Sequence, residues 1–379
     1  MCLAPRIAGA SLYARQAVDV FDRIGDEDYE QVVFCHDRPT GLRAVIAIHS
    51  TRLGPSLGGT RFHPYASEDA AVEDVLRLSK GMTYKSAVAG LDLGGGKAVI
   101  IGDPRSKTEP LLRAYGRFVD SLGGRYITAE DVGTTQADMD LILRETSFVT
   151  GGSQSLGGSG DPSAATAQGV LYAMRAVATF LWGTGSLEAR SVVVSGVGKV
   201  GYSLLRHLVE ERAVVTVSDV NQAALDRAAA DFEVAVVPPE KAHAVECDIF
   251  SPCALGGVLS PLTIPELRCT AVVGSANNQL LDAGCARLLE EAGVLYAPDY
   301  VVNAGGIINV AEELRGYDRA RADGEVRRIY DTTAAVLAAA AAEGITTVAA
   351  ADRMAERRLE QVGRLQLIRR GAPTHHRGR

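Results

Sequence analysis

Residues 192–219 read VVVSGVGKVGYSLLRHLVEERAVVTVSD, and they predict a strand, a glycine-rich turn, a helix and a second strand. The β-branched run Val192–Val194 suits a parallel strand that is buried on both faces. Gly196, Gly198 and Gly201 follow with the spacing G-x-G-x-x-G. In this context the first glycine allows a tight turn, the second lets backbone N–H groups approach a pyrophosphate, and the third lets the helix pack closely on the strand. The predicted dinucleotide-binding turn consists of Ser195, Gly196, Val197, Gly198, Lys199, Val200 and Gly201.

Asp219 lies at the end of the second strand, 18 residues after Gly201. A carboxylate at that place accepts a hydrogen bond from a ribose 2′-OH and repels a 2′-phosphate. The sequence therefore predicts NAD rather than NADP as the cofactor. The alternative interpretation is a glycine-rich turn without a ligand, with Asp219 solvated.

The alternation of strands and helices continues around this stretch. A helix is predicted over residues 164–181, before the motif. Further strands are predicted at Val214–Ser218, Val234–Val237, Asp248–Phe250 and Ala271–Val273. Such alternation is typical of a doubly wound α/β domain with a parallel sheet. Long helices are predicted at Glu325–Gly344 and Val348–Val362, and we expect the last one to pack back on the first part of the chain.

The length of 379 residues is too great for one ordinary core and suits two domains. A glycine- and serine-rich break at Gly151–Asp161 marks the predicted boundary. We predict an N-terminal α/β domain over residues 1–150 that is completed by about 348–365. A Rossmann-type dinucleotide-binding domain is predicted over 151–347, and a disordered tail over 366–379.

The first 150 residues contain their own strand and helix patterns. Leu42–His49 is rich in β-branched residues and predicts a buried strand. The glycine-rich segment Leu53–Gly59 predicts a turn before another strand that begins at Thr60. Ser67 is the predicted N-cap of an amphipathic helix that runs toward residue 80. A second glycine-rich bend is predicted at Gly94–Gly96, before the strand at residues 98–101.

Composition excludes several classes of protein. The net charge of −7 argues against a nucleic-acid-binding protein, which would show a basic patch. The longest alanine-rich apolar run, Ala334–Ala342, is far shorter than the roughly 20 residues that span a bilayer, and the N-terminus has no secretory pattern. We therefore predict a cytoplasmic protein without membrane contact. The six cysteines form no CxxC pair and no HExxH motif occurs, so reduced thiols and no metal site are expected.

Two lysines stand out as candidate catalytic groups. Lys97 lies in Ala87–Gly102, which is otherwise uncharged except for Asp92, and Lys85 lies shortly before it. A desolvated lysine near a second cation has a lowered pKa and can act as a base, although an isolated lysine is more often a solvated surface charge. The sequence LGGGK is not a phosphate-binding P-loop, because Leu91 replaces its first glycine and an alanine replaces its Ser/Thr.

Several longer segments closely resemble the leucine and valine dehydrogenases of the glutamate, leucine, phenylalanine and valine dehydrogenase superfamily. The resemblance covers about residues 28–360. Its most specific segments are LGPSLGGTRF (53–62), SKGMTYKSAVAGLDLGGGKAVIIGDP (79–104), GRYITAEDVGT (124–134), CALGG (253–257), GSANNQL (274–280) and YAPDYVVNAGGIINVAEEL (296–314).

The resemblance implies a role for individual residues. Lys85 resembles the lysine that binds the substrate α-carboxylate, and Lys97 resembles the catalytic lysine that activates water. Asp131 resembles the carboxylate that transfers protons to and from the substrate nitrogen. Asn277 resembles an asparagine near the nicotinamide and its ribose, and Asn303 one that contacts substrate or cofactor. Positions that match the side-chain pocket, for which plain core packing is the alternative, are Leu57, Gly58, Met82, Ala129, Ile307 and Val310.

The function that the resemblance implies is NAD-dependent oxidative deamination of branched-chain L-amino acids to 2-oxo acids and ammonia, with the reverse reductive amination. The implied pocket has no arginine or lysine for a second carboxylate, which disfavours glutamate. Phenylalanine stays open, and valine differs from leucine by one methylene, worth only about 1–3 kcal/mol. A catalytically silent NAD-binding regulator is the alternative of another class. The implied partners are small-molecule substrates and further copies of the chain, as a dimer or an octamer.

Overall fold

The computed structural model describes residues 20–363, which form two β-sheets flanked by helices. The first sheet has five strands in the order β1-β2-β4-β3-β5. Its strands are β1 (Gln31–Asp37), β2 (Leu42–Ser50), β3 (Ser56–His63), β4 (Gly94–Ile101) and β5 (Tyr126–Glu130). β2 is antiparallel to β1 and β4, whereas β3 lies parallel to β4 on one side and to β5 on the other. β3 therefore lies between the strands β4 and β5.

Four helices accompany the first sheet. They are α1 (Val20–Asp26), α2 (Glu68–Val88), α3 (Glu109–Ser121) and α4 (Gln136–Ile142). Ser67 caps α2 as predicted, because its Oγ accepts a hydrogen bond from the backbone N–H of Ala70 at 3.1 Å. The helix continues two turns beyond Lys80, so it also carries Lys85. α2 packs on β2 and β4.

Two details of the first sheet differ from the prediction. β3 begins at Ser56 rather than at Thr60, and Gly94–Gly96 belong to β4 rather than to a bend. A Cβ atom on Gly95 would lie only 2.0 Å from the backbone nitrogen of Thr83 on α2. Glycine is needed here because a helix lies directly on the strand, which is one of the few reasons for glycine inside a strand.

The second sheet has six strands, all parallel. They are β6 (Ser191–Ser195), β7 (Val214–Ser218), β8 (Ala235–Val236), β9 (Cys247–Pro252), β10 (Cys269–Val272) and β11 (Leu295–Tyr296). Their order across the sheet is β8-β7-β6-β9-β10-β11. Counted within the sheet this is the order 3-2-1-4-5-6 of the Rossmann fold, in which ligands bind where the strand order reverses. The predicted fold class is thereby confirmed.

Helices cover both faces of the second sheet. They are α5 (Ser163–Trp182), α6 (Lys199–Glu210), α7 (Gln222–Asp231), α8 (Cys285–Glu291), α9 (Asp299–Val302) and α10 (Gly305–Ala311). The single helix predicted at Glu325–Gly344 is instead two helices, α11 (Arg319–Arg327) and α12 (Ile329–Glu343). The two have different neighbours, since α11 packs on α5 and α10 whereas α12 packs on α5 and the final helix. Gly344 ends α12 with a left-handed φ of +64°.

The final helix, α13 (Thr347–Gly363), packs against α2 of the first sheet, as predicted. The Tyr84 hydroxyl donates to Glu356 at 3.2 Å, and Arg358 donates to Asp92 at 2.8 Å. Asp352 of α13 also accepts a hydrogen bond at 2.6 Å from the hydroxyl of Tyr300 on α9. α13 therefore joins the two parts of the molecule.

The predicted domain boundaries at residues 150 and 347 stay predictions, and the tail predicted at 366–379 lies outside the described residues. Within residues 20–363 no single helix has the length and apolar character needed to cross a membrane. One pair, Arg319–Glu343 with Thr347–Gly363, meets the criteria jointly, by length and composition only, and is bent by 110°.

Candidate active site

Lys97 and Asp131 meet across β3. Lys97 lies on β4 and Asp131 directly follows β5, and β3 pairs with both strands. The Lys97 Nζ lies 2.9 Å from Asp131 Oδ2, with the side chains 8% and 17% exposed. The ion pair needs a glycine at position 59 of β3, because a Cβ there would lie 2.8 Å from the Asp131 Cβ. The structure thus brings together the two groups predicted to be catalytic.

The environment of Asp131 favours its ionised form. Burial alone would raise the pKa of this carboxyl group, but the charges of Lys97 and Arg61 outweigh that effect and lower its pKa. The adjoining turn is also fixed, since the backbone N–H of Asp131 donates to Thr134 Oγ1 at 2.9 Å. A well-oriented carboxylate with a lysine beside it can exchange protons with a bound substrate.

Lys85 projects from α2 toward the same region and carries a positive charge that lacks a close anionic partner. Burial lowers the pKa of its ammonium group to about 8, and the charge of Lys97 adds to this, although Asp299 and Asp131 oppose it. Among residues 20–363, no hydrogen bond or ion pair to the Lys85 side chain is formed. A buried cation of this kind suits an anionic ligand group.

The residues predicted for the side-chain pocket are largely brought together. Leu57, Ile307 and Val310 belong to one buried apolar cluster, and Met82 packs against it. A Cβ on Gly58 would lie 1.7 Å from the carbonyl oxygen of Gly96 and 3.4 Å from Met82 Cγ. Ala129, the sixth residue predicted for the pocket, lies on β5 and outside that cluster. It pairs with Gly59 of β3 and precedes Asp131 by two residues. Leu57 of β3 thus shares one apolar cluster with Ile307 and Val310 of α10, a helix that accompanies the second sheet.

Asn303 and Asn277 form a hydrogen-bonded pair. Asn303 Nδ2 donates to Asn277 Oδ1 at 2.8 Å and to the carbonyl oxygen of Ser275 at 3.1 Å. The Oδ1 atom of Asn303 is buried and has no hydrogen-bond partner. Leaving a buried acceptor unpaired costs about 1–3 kcal/mol. A donor group on a bound molecule would remove that cost.

The three glycines of the turn have three different surroundings. Gly196 has a φ of +108°, and a Cβ there would lie 2.7 Å from Ala254. A Cβ on Gly201 would lie 1.9 Å from the carbonyl oxygen of Gly196. Around a Cβ on Gly198 there would be no atom within 4 Å, and this residue is the N-cap of α6. The N-terminus of α6 therefore opens onto free space, which suits an anion.

The rest of the predicted cofactor site surrounds this turn. Asp219 Oδ2 accepts a hydrogen bond from the backbone N–H of Val197 at 2.7 Å, so the carboxylate anchors the turn from β7. Lys199 forms an ion pair with Asp161 at 2.9 Å. Lys199 and Asp161 line a cavity of about 630 Å³ together with Tyr202 and other residues of α5, α6 and α7. Ser195 ends β6, and Val200 is half-buried in the first turn of α6.

Two charged residues near the site were not predicted from the sequence. Arg61 on β3 donates from Nε to Asp131 Oδ2 at 3.2 Å. Asp299 lies near enough to Lys85 for their charges to interact, and burial raises its pKa against the effect of that charge. The signal for Arg61 was present, since it lies in the otherwise uncharged segment 53–62, and uncharged surroundings are the criterion that singled out Lys97.

Comparison with known proteins relates this arrangement to one family. Residues 29–148 match the family model "Glu/Leu/Phe/Val dehydrogenase, dimerisation domain". Residues 157–236 and 221–366 match the model "Glutamate/Leucine/Phenylalanine/Valine dehydrogenase".

Individual relatives are similar over most of their length. The leucine dehydrogenase of Geobacillus stearothermophilus is 54% identical over 344 residues, which cover 90% of this chain and 94% of that protein. The valine dehydrogenase of Streptomyces virginiae is 55% identical over 335 residues, covering 87% and 94%. The crystal structure of L-tryptophan dehydrogenase from Nostoc punctiforme has a TM-score of 0.80 and 44% identity, covering 91% of this chain and 99% of that one.

Proposed function

The chain belongs to the glutamate, leucine, phenylalanine and valine dehydrogenase family of amino-acid dehydrogenases, and from this premise we propose its substrates and the roles of its site residues. It uses NAD to deaminate branched-chain L-amino acids oxidatively, giving 2-oxo acids and ammonia, and it catalyses the reverse reductive amination. The observation that carries the proposal is the Lys97–Asp131 ion pair, both members of which interact with the charge of the unpaired cation Lys85. Apolar residues of β3 and α10 that match the side-chain pocket share one cluster.

The residues of the second sheet fit NAD. The open space at Gly198 and the N-terminus of α6 suit the pyrophosphate. To Asp219, which lies beside the turn and accepts from the Val197 N–H, we assign the hydrogen bond from a ribose hydroxyl. The unpaired Oδ1 of Asn303, with Asn277 next to it, suits the nicotinamide end or the substrate. When bound, NAD supplies the acceptor for the hydride that leaves the substrate Cα.

The remaining chemistry is carried by side chains of the first sheet. Lys85, as an ammonium ion, binds the substrate α-carboxylate. Asp131, held as a carboxylate, takes a proton from the substrate ammonium group, and the nitrogen lone pair that this frees forms the C=N bond as the hydride leaves Cα. Lys97 then activates the water that adds to the imine carbon, and ammonia leaves. General acid–base assistance of this kind is worth about 10²–10⁴-fold for each group.

The apolar residues support a branched aliphatic side chain. The proposed lining of Leu57, Gly58, Met82, Ala129, Ile307 and Val310 contains no charged group. A second substrate carboxylate would therefore be buried without a partner, and this disfavours glutamate.

A spectrophotometric assay of NADH formation tests the proposed function. The native protein is supplied with NAD and, in turn, with valine, leucine, isoleucine, phenylalanine, tryptophan and glutamate. We expect the highest kcat/KM for one of the three branched-chain amino acids and the lowest for glutamate. A highest value for phenylalanine or tryptophan would assign an aromatic substrate instead. NADH binding without turnover of any amino acid would favour a regulatory protein.

We further propose a homo-oligomer, because residues 29–148 match a dimerisation domain. A cytoplasmic location is proposed because the five described cysteines are free thiols, which persist in a reducing compartment.

Replacing Lys85 by alanine is expected to weaken binding of the 2-oxo acid. A charge-assisted hydrogen bond is worth about 1.5–3 kcal/mol, or roughly 10- to 150-fold in Kd. The pKa of about 8 adds a pH dependence. Lys85 is charged below that pH and neutral above it, so the native Kd should rise as the pH passes through 8. NADH fluorescence in the enzyme–NADH complex without ammonia measures the Kd between pH 6.5 and 9.5.

The matched control is Lys85→Arg, which stays charged throughout this pH range. It should bind the oxo acid with little pH dependence, whereas Lys85→Ala should bind weakly at every pH. Equal Kd values for the native and alanine proteins would remove Lys85 from the carboxylate site.

Replacing Asp219 by serine is expected to reduce the preference for NAD over NADP. In the native enzyme a 2′-phosphate would meet the Asp219 charge, and like charges in contact cost several kcal/mol, so a preference of at least about tenfold in kcat/KM is expected. Both cofactors are assayed with the best amino acid. Because Asp219 also accepts from the backbone of Val197, Asp219→Asn serves as the control that removes the charge and keeps an acceptor. If the asparagine variant kept the native cofactor ratio, the charge of Asp219 would not determine the choice.

A further inference from the structure

Arg61 connects the proposed acid–base pair to a second carboxylate. Its side chain is 21% exposed and lies on β3, between the strands that supply Lys97 and Asp131. Its Nε donates to Asp131 Oδ2 at 3.2 Å, and its Nη1 donates to Asp74 Oδ2 at 2.9 Å. The oxygen of Asp131 that accepts from Arg61 is the same one that lies 2.9 Å from Lys97 Nζ. Two cations therefore share one carboxylate oxygen.

Asp74, on α2, holds Arg61 in this position. The Tyr65 hydroxyl donates to Asp74 Oδ2 at 2.6 Å, and Arg77 donates to Asp74 Oδ1 at 3.1 Å. Burial would raise the pKa of Asp74, but these hydrogen bonds and the charge of Arg61 lower it. Asp74 is thus a fixed anion, and Arg61 is bound at both ends of its guanidinium group.

Lys97 and Arg61 differ in one chemical respect. A lysine that acts as a base must lose its proton during turnover and regain it. A guanidinium group does not lose its proton in proteins. When Lys97 is neutral, the pair it forms with Asp131 loses its charge attraction, and a buried carboxylate without a counter-ion is costly.

We propose that Arg61 is a positioning residue that serves as the permanent counter-ion of Asp131, so that Lys97 can release and regain its proton without leaving Asp131 unpaired. The proposal depends on the roles given above to Lys97 and Asp131. Arg61 itself touches neither substrate nor cofactor in this scheme; it acts through Asp131.

Other titratable groups also act on Asp131 and enter any pH dependence. Lys97 contacts it from β4, and Lys85 interacts with it from α2. From β5, Glu130 repels it and the buried hydroxyl of Tyr126 interacts with it. Only Lys97 and Arg61 form ion pairs with Asp131 among residues 20–363. Loss of Arg61 should therefore raise the pKa of Asp131, because one of its two paired cations disappears.

The test compares Arg61→Gln and Arg61→Lys with the native protein, using the amino acid that the native protein oxidises best. For Arg61→Gln we expect kcat to fall about 10- to 100-fold, as for the loss of one charge-assisted hydrogen bond, while KM for the amino acid changes less than about threefold. The acidic limb of the pH profile of kcat should move to higher pH, since Asp131 must stay ionised. Arg61→Lys keeps the charge and should recover most of kcat and the native limb.

Two further variants separate charge from folding. Arg43→Gln removes an arginine of β2 that pairs with Glu68 and forms no ion pair with Asp74 or Asp131, and it should leave kcat unchanged. Asp74→Asn leaves Arg61 in the chain but weakens its anchor, and it should lower kcat less than Arg61→Gln does. If Arg61→Gln does not fold, an acidic limb that moves upward in Asp74→Asn supports the proposal.

Native kcat with an unmoved acidic limb in Arg61→Gln would overturn the proposal, as would the same result in Asp74→Asn if only that variant folds. Equal losses in Arg61→Gln and Arg61→Lys without a shift of the limb would also overturn it, because packing rather than charge would then be responsible. The assay uses whichever amino acid the native protein oxidises best. If that substrate is not a branched-chain amino acid, the proposed substrate is wrong, but the comparison of the Arg61 variants with the native protein still tests the role of Arg61.

Discussion

Replacement of Lys97 by alanine is expected to lower kcat for amino-acid oxidation by at least about 100-fold while leaving the Kd for NADH nearly unchanged. A general base is worth about 10²–10⁴-fold. Lys97 lies on β4 of the first sheet, whereas the glycine turn begins α6 of the second, so the cofactor site keeps all its contacts. Asp131 retains its ion pair with Arg61 in the variant, so the fold should survive. Steady-state kinetics and titration of NADH fluorescence measure the two quantities.

Lys80→Ala is the matched control for this variant. Lys80 is an exposed lysine on α2 that pairs with Glu27, which is not a residue of the proposed site, and its loss should leave kcat unchanged. A Lys97→Ala protein with more than about a tenth of native activity would contradict a general-base role.

Replacement of Gly201 by alanine is expected to destabilise the protein and to abolish measurable NADH binding. The new Cβ would lie 1.9 Å from the carbonyl oxygen of Gly196, so α6 would have to move away from β6. Overpacking of this kind costs about 1–3 kcal/mol and sometimes more, and in a domain of about 150–250 residues each kcal/mol lowers Tm by roughly 2–4 °C. We therefore expect Tm to fall by several degrees. Thermal unfolding followed by circular dichroism and NADH titration provide the measurements.

Gly198→Ala is the comparison for Gly201→Ala, because its Cβ would meet no atom within 4 Å. It should keep the native Tm and still bind NADH more weakly, since the methyl group enters the space proposed for the pyrophosphate. Native NADH affinity in Gly198→Ala would show that the pyrophosphate lies elsewhere. A native Tm in Gly201→Ala would mean that the turn can move to accept a side chain.

The second sheet was predictable because its sequence signals are local. The run Val214–Ser218 was predicted with the limits that β7 has, since a β-branched run between two turns leaves little choice. Gly94–Gly96 was predicted wrongly because a glycine triplet normally marks a bend. Each of the three glycines instead has a close neighbour on another element, which is Ser50 for Gly94, Thr83 for Gly95 and Tyr126 for Gly96.

The site was predictable only in part, because contacts between different elements leave no local signal in the sequence. Lys97 was singled out from its own uncharged surroundings, but its partner Asp131 was assigned from a family resemblance and not from chemistry. The pair exists because β3 pairs with β4 and β5 at once, and a sequence does not state which strand lies in the middle. Arg61, on β3, was missed although it contacts Asp131 directly.

The packing of α13 on α2 has a consequence for the synthesis of the protein. The hydrogen bond between Tyr84 and Glu356 joins residues 272 positions apart. At a translation rate of about 5–20 residues per second, α2 leaves the ribosome roughly 15 to 50 seconds before its partner helix exists. During that interval the apolar surface of Ala87 and Val88 has no cover from Ala351 and Ala355, with which they later form one cluster. The packing around α2 is therefore completed only after nearly the whole chain has been made.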